Sequence, residues 1–203
     1  MSSLEARADA ATARRIAAPE EEIAAAVREG DSARAVTILV RAYGAEVYGW
    51  LVAVHGAVDA ADLYGQLSLQ LVRAIGGFRG ESSARTWLYQ IARNEARQHL
   101  RDLRRRRAWL TPLEDHPSAA ERAQPAASTN SREARIASLR ARLREEDRSL
   151  LVLRVDRGLA YEDIALVLRP GLDDAGRKRE AVRLRRRLCD IRDRLRSWIT
   201  EDA

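Results

Sequence analysis

Arg85, Thr86, Gln90, Arg93, Asn94 and Arg97 project from one side of a helix when successive residues are set about 100° apart. Tyr89 and Arg101 share that side. Guanidinium groups meet phosphates, amides meet base edges, and rings stack on unpaired bases, so the set suits a single nucleic-acid strand. Ala84, Leu88, Ile91 and Ala92 fall on the other side and can anchor a core. Trp87 lies at the boundary, open both to core packing and to base stacking. The bland alternative is an amphipathic helix with a solvated arginine face.

A second cluster follows much later. Lys178, Arg179, Val182, Arg183, Arg185 and Arg186 occupy the leading part of a long helical pattern. Leu184, Leu188, Ile191, Leu195, Trp198 and Ile199 mark the opposite, core-facing stripe of the same pattern. Before it comes a short helix over Gly158–Leu168, with Ile164, Ala165 and Leu168 inward, and a polar turn over Arg169–Gly176. Short helix, turn and a longer helix basic at its leading end is a helix-turn-helix arrangement, which reads bases from the major groove.

Other elements must hold these clusters. Phe78-Arg79-Gly80-Glu81 reads as a turn, and Ser82 or Ser83 caps the helix beginning near Ala84. Pro19 and three glutamates open a short helix that Gly30 closes, and Asp31 caps the next, which runs to about His55. A third helix starts at Asp59. Its Leu63, Leu67, Leu71 and Ile75 recur every fourth residue and must be buried, while Asp62, Gln66, Gln70 and Arg73 form a polar stripe. Residues 1–18 have no apolar stripe and are expected to be disordered. Residues 108–131, with Pro112, Pro117 and Pro125, read as a linker, and Trp109 stands alone there as a bulky ring. After Ser131, Ile136, Leu139 and Leu143 line one helix, and Leu150, Leu151, Leu153 and Val155 the next, ended by Gly158.

Composition narrows the class. The 203 residues are rich in Ala, Leu, Arg and Glu and poor in β-branched and aromatic types, which favours an all-α protein of two small helical domains joined by a flexible linker. The formal charge of +6 is modest, so its clustering matters more than its size. The single cysteine, Cys189, excludes an internal disulfide and a Cys-rich zinc site. His55, His99 and His116 are scattered, and no glycine-rich phosphate cradle or metal-ligand cluster appears, so no enzyme, cofactor or metal is expected. No stretch is long and apolar enough to span a membrane and no signal peptide is visible, which points to the cytoplasm.

The ordered phrase FRGESSARTWLYQIARN, Phe78 to Asn94, closely resembles the promoter-melting segment of bacterial extracytoplasmic-function sigma factors. Asp147–Leu153, Gly158, Leu159, Tyr161, Glu162, Ile164, Ala165, Leu168, Val182, Arg183 and Arg185 resemble the promoter-reading domain of the same family. Together the resemblances cover about three-quarters of the chain. They imply a region 2 domain over 19–107 and a region 4 domain over 132–203. The first would bind the minus-ten element through Arg79, Arg85, Thr86, Trp87, Gln90, Arg93, Asn94 and Arg97. The second would read the minus-thirty-five element through Lys178, Arg179, Val182, Arg183, Arg185 and Arg186. Asp59, Asp62 and Gln66 would meet the polymerase clamp. Core RNA polymerase, promoter DNA and an anti-sigma factor are the implied partners.

The chain departs from that pattern in four places. Gly65 and Gln66 stand where a Gln-Glu pair is usual, Ala84 replaces a common Phe, and Ala160 stands where Ser or Thr would cap a helix. The stretch from Arg169 to Ala181 is longer than the family's turn. A two-domain regulator that never touches polymerase is the rival reading. It explains the helix-turn-helix but gives no reason for the Phe78–Asn94 phrase.

Overall fold

A computed structural model describes residues 18–110 and 131–201 of the chain. The expected disordered start and nearly all of the expected linker, with the side chain of Trp109, lie outside the described residues. Among those described there are helices and turns and no strand.

Helix α1 covers residues 18–28. Gly30 then takes a left-handed φ of 77°, and Asp31 caps α2 (Ser32–His55) by accepting from the Arg34 amide at 2.9 Å. Gly56, with φ 86°, is the whole connection to α3 (Ala57–Ala74), which therefore folds back against α2. Leu63, Leu67, Leu71 and Ile75 are all buried in that seam, as their spacing demands. Each such side chain contributes about 1.5–3 kcal/mol on leaving water. A single 3₁₀ turn (Ile75–Gly77) and the loop at Gly80 lead into α4 (Ala84–Leu110), which packs across both. This helix runs a few residues past the expected boundary at 107.

The second half comprises α5 (Ser131–Ala141), α6 (Glu145–Leu151), α7 (Tyr161–Leu168) and α8 (Asp174–Glu201). Helix α6 widens into a π turn over Val152–Asp156 and stops at Gly158, φ 68°. Arg148 fixes the corner between α5 and α6. Its guanidinium donates to the carbonyls of Arg140 (3.0 Å), Ala141 (3.0 Å) and Leu143 (3.0 Å), at and just past the end of α5. Asp147, buried, accepts from Arg187 at 2.6 Å and Arg194 at 2.8 Å and so ties α6 to α8.

Several sequence expectations shift. The long turn predicted over Arg169–Gly176 contracts to Arg169–Asp173, because Asp173 accepts from the Gly176 amide at 2.7 Å and starts α8 early. Ile136, Val155 and Ile199, expected inside, are exposed. Ala160 precedes α7 with no side-chain cap, as its residue type predicts. The halves are not separate beads. Buried apolar side chains from α1–α4 and α6–α8 form one continuous cluster.

Candidate nucleic-acid interface

Helix α4 begins with its orphan amides doubly satisfied. Ser83 accepts from the Thr86 amide at 3.1 Å, the cap foreseen from sequence. From the first helix, Glu20 accepts from the amides of Ala84 (2.6 Å) and Arg85 (3.1 Å) and from the Tyr43 hydroxyl (2.8 Å). A carboxylate at a helix N-terminus is favoured by the aligned peptide dipoles. No local pattern announces that contact, because 64 positions separate Glu20 from Ala84.

The polar side of α4 divides in two. Arg79, Asn94, Arg97 and Arg101 are exposed, and Gln90 is half-buried. Thr86, Tyr89 and Arg93 are buried instead. The Tyr89 hydroxyl donates to Glu46 at 2.9 Å, and burial beside that carboxylate raises the phenol above its ordinary range. Arg85 donates to the same Glu46 oxygen from Nε at 3.0 Å and to the Arg157 carbonyl from Nη2 at 2.6 Å. Arg93 donates to the Leu168 carbonyl at 2.7 Å, with Glu146 at 3.8 Å as its nearest carboxylate. Thr86 faces Asp163 of α7, whose carboxyl is pushed up by burial. Thr86 and Arg93, expected on a strand-facing surface, are therefore covered by α6 and α7, and Tyr89 by Glu46 and Trp50 of α2. A wheel drawn for one helix cannot show a neighbour contributed by another part of the chain.

Trp87 is half-buried and leans on Phe78, ring centroids 5.4 Å apart at 58°. These rings, with Arg79, Ser82 and Gln90, form one wall of a cleft of about 390 Å³. Leu166, Pro170 and Gly171 form the other. A flat base fits between such walls, with Arg79 and Gln90 as polar partners. Phe78 as the stacking partner and the Pro170–Gly171 wall were not foreseen. Beside it a second groove gathers Arg93, Arg97, Arg101 and Arg104 opposite Glu145 and Glu146.

On α8, Lys178, Arg179, Val182, Arg183, Arg185 and Arg186 are all exposed, as expected. Arg183 is 3.4 Å from Glu180, which also holds Arg169 of the turn at 3.2 Å. The Arg185 guanidinium lies 5.2 Å from the Tyr161 ring centroid, so an aromatic face positions it.

On α3, Asp62 and Gln66 are exposed and Asp59 is half-buried. Val58, Leu69 and Val72 stand exposed on the same helix, and sequence reading missed them. Their signal was present, since all three fall off the Leu63–Leu67–Leu71 stripe. Among the described residues no group of three His, Cys, Asp or Glu side chains is placed to hold a metal ion, and no helix is long and apolar enough to cross a membrane.

Residues 39–106 match the family model for sigma-70 region 2. The chain is 35% identical over 159 residues to the RNA polymerase sigma-H factor of Pseudomonas aeruginosa, spanning 73% of this chain and 82% of that protein. It is 30% identical over 155 residues to the ECF RNA polymerase sigma-E factor of Haemophilus influenzae, spanning 70% and 79%. Among solved structures, the sigma factor RpoE of Bartonella quintana, in complex with the anti-sigma factor NepR, superposes with a TM-score of 0.52. That match covers 76% of this chain and 94% of that one at 19% identity, and it speaks to the fold alone.

Proposed function

Since the chain belongs to the extracytoplasmic-function sigma factors of the sigma-70 family, we propose that it binds core RNA polymerase and divides promoter reading between its two basic helices. The observation that carries this is the pairing of an aromatic, arginine-flanked cleft on α4 with an exposed, arginine-rich face on α8.

Residues 19–107 serve the minus-ten element. Trp87 and Phe78 receive an unstacked base, Arg79 holds the phosphate beside it, and Gln90 and Asn94 meet base edges. Arg97 extends this surface along the non-template strand, while Arg85, Thr86 and Arg93, held by Glu46, Ser83 and the Leu168 carbonyl, brace the helix behind it. Residues 132–203 serve the minus-thirty-five element, with Arg179, Arg183 and Arg186 toward base edges and Lys178 and Arg185 toward phosphates. Asp59, Asp62 and Gln66, with Leu69 and Val72 beside them, face the polymerase. Strand separation comes from binding energy spent on the open form, so the chain itself moves no bond and needs no metal or cofactor. It works in the cytoplasm, where polymerase and promoter meet, and an anti-sigma factor holds it in check.

The test mixes the purified chain with core polymerase and a promoter library. Specific run-off transcripts are expected. A chain that binds duplex DNA but yields no complex with core and no transcript is a regulator instead.

A further inference from the structure

The α4 wall of the Trp87–Phe78 cleft is built from two pieces of chain. Phe78, Arg79 and Ser82 come from the loop before α4, and Trp87 and Gln90 from its first two turns. The pieces join at Ser83–Arg85. There the amides of Ala84, Arg85 and Thr86 precede the first bond within the helix, from the Trp87 amide to the Ser83 carbonyl at 2.9 Å. The local cap, Ser83, accepts only from the Thr86 amide among these three. Glu20 of α1 takes the other two: Oε2 accepts from Ala84 at 2.6 Å and Oε1 from Arg85 at 3.1 Å. The Tyr43 hydroxyl donates to Oε1 at 2.8 Å and steadies the carboxylate. Ile23 and Ala26, both fully buried, seat α1 in the core, so Glu20 stands on a fixed support.

We propose that Glu20 is a positioning residue for base capture. It fixes the angle between the Phe78–Ser82 loop and α4, and so the place of Arg79 relative to the Trp87 ring. This rests on the base-capture reading of the cleft given above. A Ser or Thr hydroxyl is the usual device at a helix start. Here a full carboxylate is added from another helix, one that precedes the region 2 match beginning at residue 39. Charged acceptors hold amides more strongly than neutral ones, and the aligned peptide dipoles favour a negative group at this end. Without Glu20 the Ala84 and Arg85 amides turn to water, the first turn of α4 frays, and the loop moves independently of the ring. The cleft is then complete for only part of the time, and its apparent affinity for a base falls by that fraction. Glu20 itself touches no base; its effect passes through the start of α4.

The test compares Glu20→Gln, Tyr43→Phe and the double variant Glu20→Gln/Ser83→Asp, each as the full chain with core polymerase. The DNA is a promoter found in the run-off experiment above. Glutamine keeps the size of the side chain but turns an N–H donor toward a backbone amide. Tyr43→Phe removes only the hydroxyl that steadies the carboxylate. Ser83→Asp supplies a carboxylate at the start of α4 from the helix's own side. Hydrogen exchange reads the Ala84 and Arg85 amides, and permanganate footprints read open complexes. Glu20→Gln should speed exchange at both amides and lower open-complex formation about tenfold, the loss when the intact turn falls to about one part in ten. Its affinity for core polymerase should stay within about twofold of the parent's, and Tyr43→Phe should show a weaker form of the same split. Ser83→Asp should return most of the open complex to Glu20→Gln, a rescue that a packing loss elsewhere in the fold would not allow. Where Glu20→Gln loses its helices by circular dichroism, Tyr43→Phe decides on the same two readings. Faster exchange with opening like the parent's overturns this proposal alone, as does a Ser83→Asp that restores protection without restoring opening. Trp87→Ala that opens DNA as the parent does would overturn the base-capture reading, and this proposal with it.

Discussion

Trp50 donates its indole Nε1 to the Ser149 hydroxyl at 3.2 Å, both side chains buried and 99 positions apart in the chain. The indole also meets Tyr89 edge-on at 5.7 Å, so one ring belongs to the core of the first half and to its contact with the second. Trp50→Phe should cost about 1–3 kcal/mol, combining lost volume with a stranded hydroxyl. Ser149→Ala should cost about 1 kcal/mol. Urea unfolding of both single variants and the double should return a coupling of about 0.5–1.5 kcal/mol if the bond joins the halves in solution. Strict additivity would place the halves apart.

Arg148 offers a different kind of test, because its four acceptors are carbonyls fixed in several directions. Burial lowers its affinity for a proton, with Glu145 acting the opposite way, and yet no carboxylate is among those four acceptors. Lysine has the charge but not the planar fork. Arg148→Lys should therefore destabilise by about 2 kcal/mol, nearly as much as Arg148→Ala, since hydrogen bonds to a charged donor are worth about 1.5–3 kcal/mol. A lysine variant as stable as the parent would show that charge alone suffices. Thermal melts followed by circular dichroism decide it.

Much of this was legible beforehand. The Leu63–Leu67–Leu71–Ile75 stripe, the Ser83 cap, the glycine stops and the exposed arginines of α8 follow from local spacing. So, in principle, did the early start of α8, because Asp173 has the side chain of an N-cap. The burial of Thr86, Tyr89 and Arg93 was not legible. Their neighbours Glu46, Asp163 and Leu168 come from other helices, and a polar residue looks the same in sequence whether water or a carbonyl receives it. Glu20 over the start of α4 was hidden for the same reason.

Acid should loosen the fold in two windows. Burial, helped by the positive charge of Arg148, holds the His55 imidazole down to about 4, so the folded chain resists a proton that the unfolded chain accepts. A depressed folded value gives stability that is full above the unfolded value of about 6.5 and is lost as pH falls toward 4. Asp147 follows at lower pH. Burial alone would raise its carboxyl, but hydrogen bonds and charge from Arg194 and Arg187 outweigh that and hold it below the usual range. Its share is lost only below about 3.9. Urea midpoints measured from pH 8 to pH 3 should fall in both ranges. His55→Gln should flatten the upper decline, and Asp147→Asn the lower one at a cost in stability near pH 7. A parent curve flat between pH 6.5 and 4.5 would contradict the half-buried imidazole's resistance to a proton.

The exposed face of α8 makes a prediction that separates two kinds of contact. Arg179, Arg183 and Arg186 should each contribute about 1–3 kcal/mol of discrimination against a scrambled minus-thirty-five site. Lys178 and Arg185 should act on matched and scrambled sites alike and reduce the salt dependence of binding by about one phosphate contact each. Arg185 has the further constraint of Tyr161 beneath it, so Tyr161→Leu should weaken phosphate binding as Arg185→Ala does while leaving α8 helical. Equal losses on both sites for the Arg179, Arg183 and Arg186 variants would refute the base-reading assignment.

Trp87 decides what the cleft on α4 is for. It is half-buried and its ring rests on Phe78, so it is neither a core side chain nor a free surface ring. Truncating a fully buried aromatic costs about 3–5 kcal/mol, and this one should cost well under that. Stacking on an unpaired base is worth about 1–3 kcal/mol by alanine substitution. Trp87→Ala should accordingly unfold only slightly earlier in urea, bind core polymerase as the parent does, and lose open complexes in permanganate footprints. Phe78→Ala should show the same split, because Phe78 supports the ring without replacing it. Premelted promoter DNA should restore transcription less than fully, since the base still lacks its platform. A variant that loses several kcal/mol of stability and regains full activity on premelted DNA would make Trp87 a packing residue and leave the cleft without a stacking role.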